Sequence, residues 1–422
     1  MARATLANWP IFLRPKAAVE WMDIAITGIG VGCGAGHGKP AFRHALFDAP
    51  DLFGVLRREG RESPADTPPF LGVEMPDPPD ILPPRQARTA SFSARAALSS
   101  LAEVWDQAGL DAVAPERIGL IVGGTNLMAR EQALALRAYS DRLVYVPPRH
   151  GHMFLDTDIC GLCTAAFAIR GFARTVGAAS ASGAVAIISA TEALRAGAVD
   201  ACIVIGAMQD PGAHDLQALR AMGAMGAPHF ADSPGRACRP MDRDHDGFLY
   251  GEACAALVLQ RSGDVDDGAI LGRLLGAGQV ADGTRGPEPC SAAQVQAAER
   301  ALAEAGLTAA DIDYVSGHAT GTPAGDATEI ETYRSLGLGH ARINATKSIT
   351  GHPLSAAGVV EVAAVLMQMA EGRLHPTRNL ETPLDPDFGW VGPGGATHAI
   401  NHALKFSFGF GGISTALIIG AP

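Results

Sequence analysis

Apolar positions along the 422-residue chain alternate between two periods. Short β-branched or apolar runs predict strands at 23–28, 117–123, 200–206, 253–260, 312–316 and 415–420. Between them, apolar residues recur at three- and four-residue intervals, which predicts helices at 92–108, 183–196, 291–305 and 355–371. Strands alternating with helices imply an α/β protein whose buried sheets are covered by helices. Residues 50–85, rich in proline and acid, read as an extended surface excursion. A break at 262–268 (SGDVDDG) separates two halves that each carry strands and helices. The expected organisation is an N-terminal extension over 1–21, a first half over 22–265 and a second over 266–422.

Composition narrows the function. A formal net charge of −11 argues against a nucleic-acid partner, which calls for a basic footprint. No run of 18 apolar residues is evident, so no membrane span is expected. The first 21 residues lack the long apolar core of a secretory signal. Seven cysteines without a regular framework point to reduced thiols and a cytoplasmic setting. The Cys160–Cys163 pair has no second pair or histidine nearby to complete a metal site.

Two further motifs are weak on inspection. The glycine-dense stretch from Gly28 contains a G-x-G-x-x-[GA] match at Gly30, but no helix with an acidic ribose partner follows it at the right distance. Asp242, Asp244 and Asp246 before Gly247 imitate a calcium loop, yet position twelve is Ala253. A structural loop, its carboxylates capping turns, is the better expectation. Arg85, Arg88, Arg236 and Arg239 read as surface arginines.

Three segments in the second half carry the chemistry: GHATGTPAGDATE (317–329), TKSITGHPLSAAGVVE (346–361) and FSFGFGG (406–412). His318 and His352, each expected on a small-residue turn after a strand, are placed to point neutral imidazole N–H groups at one developing anion. Glycines around Phe410 let backbone N–H groups come close to a carbonyl oxygen.

In this order the segments resemble the β-ketoacyl synthase family, with H-G-T-x-T-P-x-G-D, T-K-S-x-x-G-H-x-x-x-A-A-G-x-x-E and S-F-G-F-G-G. RPMDRDHDGFLYGE (239–252) is similar to a fourth family motif, and the likeness runs from about Met22 to the C-terminus. The resemblance implies a thiolase-like fold, two similar α/β halves in a layered α-β-α-β-α core, assembled as a homodimer. It implies that His318 and His352 serve a malonyl thioester, supported by Lys347 and Glu361, with Asp326 and Glu329 as further supporting acids. Thr320 and Thr322 match the threonines that bind phosphopantetheine. Phe410 matches the gating phenylalanine, whose N–H joins that of position 180 in an oxyanion hole. The arm belongs to an acyl carrier protein, so no metal or redox cofactor is expected.

The family's nucleophile lies in a segment resembling A-C-x-S-G. Here the segment reads ASASG (179–183), which places Ser180 on the cysteine position. A thiol of pKa ~8.5 becomes a thiolate at a helix N-terminus, whereas a helix dipole worth ~0.3–2 kcal/mol cannot make serine an alkoxide. Serine needs an aligned base. The decarboxylating half of the family's chemistry needs only the histidines. The chain thus resembles a subgroup of ketosynthase-like decarboxylases, with serine at the nucleophile position, in the β-branching cassettes of polyketide pathways. They turn malonyl- into acetyl-acyl carrier protein. Two other readings compete. One is a serine-dependent acyltransferase or condensing enzyme, favoured by a Ser180 Oγ within ~3.2 Å of an aligned histidine Nε2. The other is a non-catalytic chain-length-factor-like partner of a ketosynthase, which the intact histidine motifs disfavour. Ala319, Ile413 and Ser414 also depart from the family pattern.

Overall fold

The computed structural model describes residues 23–422, so the expected extension over 1–21 lies outside the described residues. The first half contributes β1 (Ile24–Cys33), β2 (Ile118–Gly123), β3 (Phe172–Val176), β4 (Ala201–Gly206) and β5 (Cys254–Arg261). The second contributes β6 (Gly272–Ala281), β7 (Tyr314–Ser316), β8 (Arg342–Asn344), the short β9 (Gly389–Trp390), β10 (His402–Gly409) and β11 (Ile413–Gly420). Hydrogen bonding orders them β9-β8-β7-β10-β11-β6-β1-β5-β4-β2-β3. Each half therefore follows one permutation, 1-5-4-2-3 and 6-11-10-7-8. The halves meet where β1 and β6 pair antiparallel through Ile24, Ala25 and Ile26.

Side-chain alternation on these strands builds the layers. On β2, Leu120 and Val122 face an outer core with helix α1 (Phe92–Gln107), while Ile121 faces inward. On β10, Leu404 and Phe406 face the opposite outer core with α3 (Ser291–Ala305) and α4 (Pro323–Leu336), while Ala403 faces inward. Between the two sheet halves lie α2 (Ser182–Arg195) and α6 (Ala357–Glu371), which share one core with both inner faces. Helix, sheet, buried helices, sheet, helix make five layers, the thiolase-like arrangement. The segment Leu354–Glu371 has the length and mean hydropathy (1.4) of a membrane span, but 78% of it is buried inside this middle layer.

The two central helices cross backbone to backbone. A Cβ at Gly183 would stand 2.9 Å from the Val359 nitrogen, and one at Gly358 would stand 2.9 Å from the Gly183 carbonyl carbon. Only glycine permits this approach.

The predicted helices match observed ones to within two residues, and all six predicted strands exist. The periodicity missed β3, β6, β8, β9 and β10. Two expectations need correction. The 50–85 segment is not wholly a surface excursion: Phe53, Arg61, Phe70, Leu71 and Val73 are buried. Arg61 is held by Glu252 at 2.6 Å and Asp210 at 2.7 Å, ion pairs that a proline-rich composition does not reveal. Arg239 is likewise buried, paired with Asp242 at 3.0 Å, whereas Arg85, Arg88 and Arg236 are exposed. Asp242 also accepts the Glu381 and Thr382 N–H groups at 2.7 Å each, so its carboxylate staples a loop.

Gly183→Ala is expected to destabilise the fold by about 1–3 kcal/mol through overpacking at the crossing. A urea melt in which the variant matches the parent would contradict this packing.

Candidate active site

Ser180 sits in the turn between β3 and α2. Ala179 before it is held at a left-handed φ of 47°, sparsely populated for a residue with a Cβ. Ser182 fixes that turn, accepting the Ala178 N–H at 2.8 Å and donating to the Ala179 carbonyl at 2.7 Å. The crossing at Gly183 and Gly358 then presses the start of α2 against the start of α6. Ser180 lines a cavity of about 570 Å³ together with His318, His352, Thr320, Thr322 and Phe410.

His318 follows β7, as expected. His352 does not follow a strand directly, because the single-turn helix α5 (Lys347–Thr350) intervenes after β8. That turn brings Lys347 beneath His318. The two imidazoles lie 5.5 Å apart at 85°. Phe408 packs edge-on against His318 at 5.2 Å, and Phe248 against His352 at 5.1 Å.

Hydrogen bonding fixes both tautomers. The Lys347 ammonium donates to His318 Nδ1 at 3.3 Å, and the Leu354 N–H donates to His352 Nδ1 at 3.3 Å. Each Nδ1 is an acceptor, so each neutral ring carries its proton on Nε2. Burial, then the Lys347 charge, hold both imidazoles well below the ordinary histidine range. The site thus holds two neutral N–H donors.

Ser180 Oγ lies 3.0 Å from His352 Nε2, inside the distance expected of a serine–base pair. The polarity is the reverse of such a pair. Nε2 is the protonated nitrogen, so it donates to the hydroxyl and has no lone pair with which to take the serine proton.

The remaining predicted residues form the frame. Lys347 Nζ also donates to the His318 carbonyl at 2.6 Å and pairs with buried Glu361. Glu329 accepts the His318 and Ala319 N–H groups at 2.7 Å each, and the Tyr333 hydroxyl at 2.6 Å. Burial raises its carboxyl to about 7. Asp326, one turn earlier on α4, accepts the Gly321 N–H at 3.0 Å and the Met241 N–H at 2.6 Å. These two acids pin both ends of the His318–Gly321 loop. Thr320 and Thr322 share an Oγ–Oγ hydrogen bond of 2.9 Å on the cavity wall, and Phe410 is 41% exposed beside it.

Sequence reading missed Lys405, Phe408, Tyr333 and Gln209. Lys405 is fully buried and ion-paired to Glu361 at 2.8 Å. Its signal was an inward-facing lysine within the apolar run HALKFSFG. Gln209 lines the cavity and accepts the Ser355 hydroxyl at 2.9 Å. No spacing pointed to it. All seven cysteines are free; six are buried, and Cys290 lies half-buried on the cavity wall.

This fold and donor pair define a class. The model of the β-ketoacyl synthase N-terminal domain matches residues 22–264, and that of the C-terminal domain matches 271–381. The chain belongs to the β-ketoacyl synthase family. It is 44% identical to the polyketide biosynthesis malonyl-ACP decarboxylase PksF of Bacillus subtilis, over 94% of this chain and 96% of that protein. It is 31% identical to the tetracenomycin polyketide synthase ketoacyl synthase alpha subunit of Streptomyces glaucescens, over 94% and 97%. A β-ketoacyl synthase structure from Burkholderia phymatum shares the fold, with a TM-score of 0.85 at 24% identity, covering 95% of this chain and all of that one.

Buried neutral histidines make stability depend on pH. An unfolded imidazole takes a proton near pH ~6.5, whereas folded His318 and His352 resist it and His375, also depressed by burial, titrates at about 4. The contribution of these rings is therefore full above pH ~6.5 and is lost as the pH drops below it, His375 alone accounting for about 3 kcal/mol by pH 4, while Glu329, its carboxyl raised to about 7, works in the opposite direction over the same range. Histidine NMR spectra of the folded protein in which these rings protonate near pH ~6.5 would show that they titrate normally.

Proposed function

We infer that the protein is a malonyl-acyl carrier protein decarboxylase of polyketide biosynthesis, releasing carbon dioxide and leaving acetyl-acyl carrier protein. The observation that carries this reading is the donor pair: two imidazoles present Nε2–H to one cavity, and the serine beside His352 has no base. The thioester oxygen of a malonyl group accepts from His318 and His352. As the bond to the carboxylate breaks, its electron pair moves into the enolate, whose negative charge builds on that oxygen. Carbon dioxide departs and the enolate carbon takes a proton from solvent. Preorganised donors on two buried rings stabilise such an anion strongly. No step requires a covalent bond to Ser180, a metal or a redox cofactor.

Thr320 and Thr322 hold the phosphopantetheine arm of the carrier, and Phe410 guards its entry. Ser180 accepts the His352 N–H until the thioester oxygen takes it, and its own hydroxyl proton is free for the substrate. The backbone N–H groups of Ser180 and Phe410 serve as further donors. The acetyl product suits a β-branching cassette, in which a hydroxymethylglutaryl-synthase-like enzyme consumes it. The protein works as a homodimer. Support comes from β3, whose outer edge pairs with no strand among the described residues, and from exposed Leu143, Val144, Tyr145 and Phe154. The serine-acyltransferase reading is favoured by the 3.0 Å contact alone and disfavoured by its polarity.

Intact-mass analysis of malonyl-loaded carrier protein tests the reaction. The carrier is expected to lose one carbon dioxide. Ala at His318 or His352 should slow this by at least about 100-fold, and Ser180→Ala by less than about 10-fold. Transfer of the malonyl mass to Ser180 would make the protein an acyltransferase, and no change across several carriers would sink both enzymatic readings. Light scattering is expected to give twice the 43.6-kDa chain mass; a monomer would remove the dimer.

A further inference from the structure

Of the groups buried near the cavity, one lysine has no part in the chemistry above. Lys405 lies on β10, where Phe406 and Phe408 pack with the outer core and Lys405 and Ser407 alternate to the other face. Its ammonium is an ion-pair neighbour of Glu361 Oε2 at 2.8 Å, off the line of a hydrogen bond, and donates to Ser407 Oγ. The other oxygen of Glu361 holds Lys347. One carboxylate from α6 is thus clamped between ammonium groups from α5 and β10, all three side chains no more than 1% exposed.

A second buried cation is costly to desolvate, so its presence needs a reason. Neither lysine lines the cavity. Lys347 has three protons and three acceptors: Glu361, the His318 carbonyl and His318 Nδ1. The Nδ1 contact, at 3.3 Å, is longer than the 2.6 Å bond to the carbonyl, yet it alone sets the His318 tautomer. A carboxylate held at one oxygen is free to turn and carry Lys347 with it; a second cation on the other oxygen removes that freedom.

We propose that Lys405 is a positioning residue: by clamping Glu361 it fixes Lys347, keeps the third Lys347 proton on His318 Nδ1, and so keeps His318 Nε2–H aimed into the cavity. The groups facing this cluster are Glu361 from α6, Lys347 from α5, His318 from the loop after β7, His352 from the turn after α5 and Glu329 from α4, with Tyr314 on β7 and His375 after α6 also facing Glu361. Burial lowers the Lys405 ammonium from its ordinary range while Glu361 works to keep it charged. The consequence for rate rests on the decarboxylase reading; the consequence for the tautomer does not.

The test pairs two measurements on Lys405→Met. Nitrogen-15 spectra of histidine-labelled protein are expected to show His318 as the neutral Nε2–H form in the parent. In the variant they should show a tautomer mixture, protonating at higher pH. The kcat for malonyl-carrier decarboxylation should fall about 10–100-fold with KM nearly unchanged, and Lys405→Arg should recover part of it. In a Glu361→Gln background, Lys405→Met should add no further loss, because both act through one path. A folded Lys405→Met protein with the parent's His318 spectrum overturns the proposal, whether or not the parent decarboxylates. If Lys405→Met does not fold, Lys405→Gln removes the same charge at a similar size, and an unmoved His318 tautomer in that variant overturns the proposal.

Discussion

The active site depends on one steric constraint, the backbone contact of α2 and α6 at Gly183 and Gly358. This contact packs two helix beginnings into a single spot between the sheets. One helix begins just past Ser180 and the other carries Glu361. Because they touch without intervening side chains, the nucleophile position and the charged frame beneath His318 keep a fixed relation. The outer layers, by contrast, only close the core on either side. A pseudo-twofold chain in which both halves repeat one strand permutation delivers this meeting of helices as a direct result of its topology.

Polarity, more than distance, decides what Ser180 does. A serine 3.0 Å from an imidazole nitrogen invites comparison with hydrolase dyads. Here the Leu354 N–H occupies the other ring nitrogen, and the imidazole becomes a donor. The same logic governs His318 through Lys347. Both rings are thus committed to stabilising negative charge on a substrate, and the serine shares in that donor array.

Much of this was legible in the sequence. Long amphipathic helices such as 291–305 declare themselves by period, and the motif residues of 317–329, 346–361 and 406–412 converge on one cavity. Strands such as β6 (GRLLGAGQVA) were not legible, because glycines for close packing against α3 break their apolar run. Arg61 and Lys405 were misread or passed over for a shared reason. Their burial depends on carboxylates up to 191 residues away, which no local window contains. The direction of the Ser180 contact was equally hidden, since it turns on a backbone N–H at a turn of positive φ, Leu354 at 48°.

The placement of sulfur gives the molecule a further property. Six thiols are sealed in the core, and the position at which the family keeps its reactive sulfur holds a hydroxyl. An electrophile that silences condensing enzymes by alkylating their nucleophile finds nothing to alkylate at this reaction centre. Cys290, on the wall, is the one thiol that is not buried, and an adduct there would narrow the chamber without touching position 180. Position 180 is thus closed to thiol-directed alkylation by its chemistry alone.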